Sequence, residues 1–160
     1  MAQSDLPSAY QVKAAFLYNF AKFVEWPDTA FASPQAPLVI GIFGSDPFQG
    51  DLNRIVAGKN INGHPVVARL VSAVTDLKNC HIVFVNAAQE KKAAEISAAL
   101  AGLKVLTVTE DATHFTASGY VINFVMQDER IGFQINNAVA AHAGLRISSK
   151  LLSVARPLSP

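Results

Sequence analysis

The stretch LVIGIF at Leu38–Phe43 decides the fold class, because an unbroken apolar run is typical of a strand that is buried on both faces. The residues GSDP at 44–47 follow directly and predict a turn into a helix. Ser45 or Asp46 would cap that helix, and Pro47 would occupy its first position. A buried strand that runs straight into a helix is typical of α/β domains with a parallel sheet.

Strands and helices continue to alternate along the chain up to residue 109. The helix after Pro47 ends near residue 58, and the patterns that follow predict a helix at 89–101 and strands at 65–71, 80–86 and 105–109. From residue 119 the pattern changes. Extended runs at 120–126 and 131–136, joined by polar residues, predict a hairpin, and after it come a helix at 137–143, an extended segment at 145–147 and a last helix capped by Ser148 or Ser149.

These patterns predict a single three-layer α/β domain. Its sheet would be mixed and mostly parallel, with helices on both faces and an antiparallel hairpin in the C-terminal half. We assign residues 10–156 to this domain, residues 1–9 to an N-terminal arm and residues 157–160 to a tail. The length of 160 residues fits one domain, since domains most often contain about 100–150 residues.

Residues 10–27, YQVKAAFLYNFAKFVEWP, form the predicted first helix. A capping box of Ser8 and Gln11 begins it, and Pro27 ends it. Polar side chains fall on one strip of the helix, apolar ones fill the rest, and Lys13 lies alone on the apolar side. About 17 residues with two lysines and a glutamate make a poor membrane span. This helix therefore lies in the core, or it is shared between the core and a partner protein.

Lys13, Phe20, Phe23 and Trp26 are the candidate residues for a partner or dimer interface. Aromatic residues are enriched at interface cores, and one helix of a small domain cannot easily hide this much aromatic surface. The alternative for each residue is ordinary core packing. We expect Lys13 to be partly exposed, because a buried lysine without a partner is very costly.

Composition excludes one class of function and one kind of crosslink. With 13 Lys+Arg and 12 Asp+Glu the net charge is +1, so there is no basic excess to bind nucleic acid. Cys80 is the only cysteine, which makes an internal disulfide impossible. We expect Cys80 to be a packed thiol beside a buried strand.

We predict no catalytic residues, no metal site and no cofactor. Ser148-Ser149-Lys150 lacks the Ser-x-x-Lys spacing that places both side chains on one helix face. The four histidines show no metal-ligand spacing. Glu110 and Asp111 form an adjacent carboxylate pair, and we expect it to cap the following turn rather than to act in catalysis.

A small-ligand pocket is the alternative functional hypothesis. Ligands bind at strand ends in open α/β sheets, and helix N-termini attract anions. The candidate pocket residues lie after the first predicted strand and along the hairpin; they are Ser45, Asp46, Asn123, Arg130 and Asn136. For Asp46, Asn123 and Asn136 the alternative is a structural role as a cap or as a hydrogen-bonded amide.

Seven segments together resemble the YfiR-like family of bacterial periplasmic regulators, and they cover nearly the whole chain. In order they are KAAFLYNFAKFVEWP (13–27), IGIFGSDPF (40–48), CHIVFV (80–85), LTVTE (106–110), INF (122–124), FQIN (133–136) and AGLRISSKLLSVA (143–155). Some family members pair the cysteine that matches Cys80 with an earlier one, and this sequence has no such partner.

The resemblance implies a non-enzymatic periplasmic protein that represses an inner-membrane diguanylate cyclase by binding its periplasmic part, which lowers cyclic di-GMP and biofilm formation. It also implies a homodimer, with a sensor histidine kinase as the other possible partner and no membrane insertion. We expect the chain to be a mature exported form with an added Met1. The alternative is a small-ligand sensor that acts on a histidine kinase or alone.

Overall fold

The computed structural model describes residues 8–158, which form a sheet between two layers of helices. Residues 1–7 of the predicted arm and residues 159–160 of the predicted tail lie outside the described residues. The helices are α1 (Ala9–Phe23), α2 (Asp51–Val56), α3 (Glu90–Leu100), α4 (Asn137–His142) and α5 (Ser149–Val154). The strands are β1 (Val24–Glu25), β2 (Leu38–Phe43), β3 (Asn60–Ile61), β4 (His64–Val71), β5 (Ile82–Val85), β6 (Leu106–Glu110), β7 (Ile122–Gln127), β8 (Arg130–Ile135) and β9 (Arg146–Ile147).

The main sheet has the strand order β3-β4-β2-β5-β6-β7-β8. The five adjacent strands β4, β2, β5, β6 and β7 run parallel to one another. At the two ends of the sheet, β3 pairs with β4 and β8 pairs with β7 in the antiparallel sense. The predicted mixed, mostly parallel sheet with a C-terminal hairpin is therefore confirmed. We call the edge where β2, β5 and β6 end the carboxyl edge, and the opposite one the amino edge.

Alternating side chains of the buried strands pack into two hydrophobic cores, one on each face of the sheet. On one face Ile40, Phe84 and Val108 pack with α1, α2, α4 and α5. On the other face Val39, Val83 and Val85 pack with α3 and with the short 3-10 helix Val74–Asn79. This arrangement confirms the prediction of three layers.

The first helix is shorter than predicted, because it ends at Phe23 rather than near Pro27. The ring of Pro27 cannot donate to the carbonyl of Phe23, and that carbonyl instead accepts the N–H of Ser148 at 2.9 Å. Val24 and Glu25 become extended and pair with β9. The predicted capping box of Ser8 and Gln11 is present.

The helix after β2 also begins later than predicted, at Asp51 instead of Pro47. The Asp46 carboxylate accepts the backbone N–H groups of Phe48 (2.8 Å) and Gly50 (3.1 Å), which holds residues 46–50 in a turn. Gly50 precedes the helix with a left-handed φ of 86°, a conformation that glycine adopts without strain. Across residues 8–158, none of the helices is both long and apolar enough to span a bilayer.

Candidate functional site

Lys13 and Glu110 form a buried ion pair at the carboxyl edge. Lys13 Nζ lies 2.6 Å from Glu110 Oε1, and their side chains are only 9% and 2% exposed. The other oxygen, Oε2, accepts the hydroxyl of Tyr10 at 2.6 Å and the backbone N–H of Ala87 at 2.9 Å. Burial, followed by the nearby Glu110 carboxylate, raises the pKa of Tyr10. These contacts tie α1 to the ends of β5 and β6.

This pair corrects two of the sequence-based expectations. Lys13 is buried rather than partly exposed, and Glu110 binds α1 rather than capping the next turn. Lys13 avoids the cost of an unpaired buried charge because Glu110 neutralises it. The sequence signals of this pair were a lysine alone on an apolar helix face and a carboxylate at the end of a buried strand, but they do not specify that the two residues meet.

Phe20 lies in the core, so it offers no surface to a partner in this conformation. Its ring is fully buried, with centroids 5.7 Å from Phe124 and 5.0 Å from Phe133. Core packing, the alternative weighed for this residue, describes its position. Phe23 and Trp26 are only half-buried and lie at the end of α1 and just beyond it. Of the four candidate interface residues, these two retain surface for a contact.

Trp26 borders a groove at the amino edge of the sheet, which we call the amino-edge groove. The groove has a volume of about 610 Å³. Its lining comes from the end of α1, β1 and the loop after it, β3, and the starts of β2 and β4. It includes Glu25, Trp26, Asp28, Phe31, Pro34, Leu38, Ile61 and His64. The groove thus combines aromatic side chains, which are enriched at protein interfaces, with two carboxylates.

Phe31, beneath this groove, is sandwiched between two imidazole rings. Its centroid lies 3.7 Å from that of His64 and 4.3 Å from that of His81, in stacked geometry. Trp26 packs edge-on against His81 and donates its indole N–H to the carbonyl of His81 at 3.2 Å. The loop that carries Trp26 and Phe31 is therefore held on the sheet by His81. Sequence analysis missed this cluster, because its members are far apart in the chain.

His81 makes two hydrogen bonds, and the one that its Nδ1 accepts favours the neutral ring. Nδ1 accepts the backbone N–H of Val39 at 3.0 Å, so it carries no proton of its own. Nε2 lies 2.9 Å from the carbonyl of Ala30 and donates to it. Burial is the main cause that lowers the pKa of His81 from its ordinary value. Protonation at Nδ1 would set its N–H against the N–H of Val39 and break the hydrogen bond between them.

The five residues of the predicted ligand pocket do not share a cleft. Asp46 caps the turn before α2, and Asn136 caps α4 by accepting the N–H of Val139 at 3.3 Å. Asn123 is buried, donates to the Gln134 side chain at 2.9 Å and accepts the N–H of Ala112 at 3.1 Å. Ser45 and Arg130 are exposed, after β2 and at the hairpin turn respectively. Asp46, Asn123 and Asn136 thus have structural hydrogen-bond partners.

Cys80 is a buried free thiol, as expected for a packed cysteine. Its Sγ faces Gly41 on β2, and burial raises its pKa to about 11. Among residues 8–158 no group of three or more His, Cys, Asp or Glu side chains has the geometry to hold a metal ion.

Comparison with known families decides the affiliation of the chain. A sequence model of the YfiR/HmsC-like family matches residues 10–156. The chain belongs to this family. The resemblance noted from the seven segments is thereby confirmed, and at the level of the family it indicates a periplasmic regulator of diguanylate cyclase. A search of curated proteins finds no match.

Proposed function

We propose that this protein binds the periplasmic part of an inner-membrane diguanylate cyclase and holds that enzyme inactive, so that cyclic di-GMP and biofilm formation fall. Membership of the YfiR/HmsC-like family over residues 10–156 is the observation that carries the proposal. The protein itself acts as a binding partner and performs no catalysis.

Repression by binding requires a preference for one state of the partner. A regulator shifts a two-state equilibrium only by the difference between its affinities for the two states. A cyclase that is mostly active when alone and almost fully inactive in the complex requires about 10⁴-fold tighter binding of the inactive state. The contact surface must therefore bind the inactive conformation of the cyclase more tightly than the active one.

Of the four candidate interface residues, Trp26 at the amino-edge groove is the best suited to such a contact. Trp26 keeps part of its indole exposed, while its N–H is fixed by the carbonyl of His81. A rigid, partly exposed tryptophan beside a groove matches the residues that dominate binding energy at protein interfaces. Phe23 contributes a second half-buried ring at the end of α1. Homodimer formation remains part of the proposal, and sedimentation equilibrium of the purified chain tests it.

The test measures cyclic di-GMP in the native bacterium. Deletion of the gene should raise the nucleotide, and the exported wild-type protein should restore the low level. Trp26→Ser should fail to restore it at equal protein abundance, because it removes the aromatic surface. Trp26→Phe should restore it, since a ring remains.

Leu70→Ser is the matched control, because Leu70 is a large apolar residue, 58% exposed and outside the groove. It should repress like the wild-type protein. An unchanged level of cyclic di-GMP after deletion would contradict the proposed function. Full repression by Trp26→Ser would contradict the role of the groove but would leave the proposed function standing.

A further inference from the structure

We propose that a second copy of this chain docks on the amino edge of the sheet, and that this self-association covers the amino-edge groove and keeps the cyclase out of it. The competition with the cyclase rests on the proposed function, whereas the self-association does not. A second copy is the occupant that charge selects, because two oppositely charged surfaces lie on the two sides of one loop.

A second depression at the amino edge, which we call the basic cleft, lies on the face of the sheet opposite the amino-edge groove. Its volume is about 570 Å³, and the buried residues Val39 and Val105 line it. Arg69 of β4, Lys78 of a 3-10 helix and Lys104 before β6 add three exposed cations. No aspartate or glutamate of residues 8–158 lines the cleft, and none of them pairs with these three cations.

The amino-edge groove carries the opposite charge. Glu25 and Asp28 are exposed and line it, and no lysine or arginine of the described part of the chain does so. Arg146 approaches Glu25 to 3.9 Å, but both side chains are largely exposed, so this pair is weak and leaves the groove acidic. The groove of one copy is therefore complementary in charge to the basic cleft of another.

The loop at residues 28–37 separates the two surfaces. Ala32 lines both of them, and residues 32–35, the exposed tip of the loop, carry no charge. A two-fold axis that runs along the sheet edge at this tip places the basic cleft of each copy over the acidic groove of the other. Residues on such an axis meet their own copies, where like charges would repel. An uncharged tip avoids that repulsion.

Apolar side chains on the two surfaces match in the same arrangement. Leu103 lines the basic cleft and is 38% exposed, which is unusual for a large apolar residue of this protein. Trp26 and Phe31 are half-buried in the amino-edge groove. The two-fold contact brings the leucine of one copy to the aromatic side of the other, inside a charged rim. An apolar centre with a polar rim is the usual composition of a protein interface.

Self-association on this face limits repression. The second copy and the cyclase occupy the same groove, so each excludes the other, and binding of the cyclase shifts the chain towards the monomer by mass action. The dimer is therefore a form of the protein that does not repress. A substitution that breaks the dimer without touching the groove should strengthen repression.

Sedimentation equilibrium of the purified chain at low ionic strength tests the contact by an exchange of charges. Lys104→Glu and Asp28→Lys should each weaken dimerisation by about tenfold or more, because each change occurs twice in the interface and opposes like charges. The variant with both changes should recover most of the lost affinity, since the two charges have changed places. Lys91→Glu, at an exposed lysine of α3 outside both surfaces, is the matched control and should dimerise like the wild-type protein.

Three outcomes would each overturn the self-association. They are a wild-type chain that stays monomeric, single variants that dimerise as tightly as the wild-type protein, and a double variant that dimerises no better than the single ones. Thermal unfolding of every variant checks that the fold is intact, and the exposed positions of Asp28 and Lys104 predict unchanged midpoints.

Cyclic di-GMP tests the competition. At an abundance where the wild-type protein represses only in part, Lys104→Glu should repress more strongly, because it leaves the groove unchanged and frees it from the second copy. Equal or weaker repression by this variant would overturn the competition. Dimerisation is measured on purified protein without a cyclase, so it can fail while deletion of the gene still raises cyclic di-GMP. The two proposals can therefore fail separately.

Discussion

Lys13 and Glu110 lie 97 positions apart in the chain, yet Lys13 Nζ and Glu110 Oε1 meet at 2.6 Å inside the protein. The contact joins the first helix to the end of a central strand. It places a charged pair at the margin of the hydrophobic core. Lys13 Nζ also lies 4.8 Å from the centroid of the Tyr10 ring. α1 is therefore positioned by electrostatics as well as by the burial of its apolar side.

Breaking this pair should destabilise the protein strongly. Glu110→Gln leaves Lys13 buried without a counter-charge, and removal of one partner of a buried pair costs about 3–5 kcal/mol. Lys13→Met should cost less, because Glu110 keeps its hydrogen bonds from Tyr10 and Ala87. Urea unfolding of both variants and of the double variant checks this. The double variant should lose less than the sum of the two, whereas strict additivity would show that the pair is not coupled.

Substitutions at Phe20 and at Trp26 should lower the free energy of unfolding by different amounts. Phe20→Ala empties a fully buried site between Phe124 and Phe133, and such changes cost about 3–5 kcal/mol. Trp26→Phe loses one hydrogen bond to the carbonyl of His81, so we expect a loss of about 1 kcal/mol. Thermal and urea unfolding measure both. A Phe20→Ala protein as stable as the wild type would show that this ring is not part of the core.

Stability should fall on acidification because of His81. Its pKa in the folded protein is lowered from 6.5, so the unfolded chain binds the proton first as the pH falls. The free energy of unfolding should therefore decrease from about pH 6.5 downward, until the pH reaches the lower pKa of the folded state. Unfolding of the wild-type protein and of His81→Phe across this range checks the effect. If the wild-type protein and His81→Phe showed the same pH dependence of stability, groups other than His81 would cause it.

Gly41 and Cys80 should tolerate no added atom between them. A Cβ built on Gly41 would lie 2.5 Å from Cys80 Sγ, and the short cysteine side chain has little room to move. Gly41→Ala should therefore cost about 1–3 kcal/mol. In a Cys80→Ala background the same change should cost less, because only Cys80 Cβ remains, at 3.3 Å. An equal cost in both backgrounds would locate the clash elsewhere.

The reactivity of the thiol gives an independent check of its burial. Cys80 is buried, and its pKa is raised to about 11, so little thiolate is present near neutral pH. A thiol reagent should label the native protein slowly and the urea-unfolded protein quickly. Rapid labelling of the native state would contradict the buried position.

The fold could be predicted because its signals are local and agree with one another. The apolar run of β2, the hairpin after residue 120 and the capping box at Ser8 each specify an element from neighbouring residues alone. Sequence analysis missed short elements, such as β3 and the 3-10 helix Val74–Asn79, and it placed some helix ends wrongly. There, side chains and a distant strand compete for the backbone, as at Asp46 and at the pairing of β1 with β9.

The site could be predicted only in part, because its contacts join distant segments. Trp26 was named as a candidate interface residue from its residue type and its place after the first helix, and its role stays a prediction. The stack of Phe31 between His64 and His81 depends on which strand ends meet. A sequence without the sheet order contains no signal for it. Lys13 was identified as unusual, but its partner became visible only once β6 lay beside α1.

In-cell photo-crosslinking from the amino-edge groove tests the central proposal most directly. A photoreactive amino acid replaces Asp28, an exposed residue of the groove, or, as a control, Lys91, an exposed residue of α3. The exported protein is irradiated in its native bacterium, and the captured proteins are identified by mass spectrometry. The proposal predicts that position 28, but not position 91, captures an inner-membrane diguanylate cyclase. Capture of only a second copy of this chain from both positions, or of no cyclase from either, would contradict it.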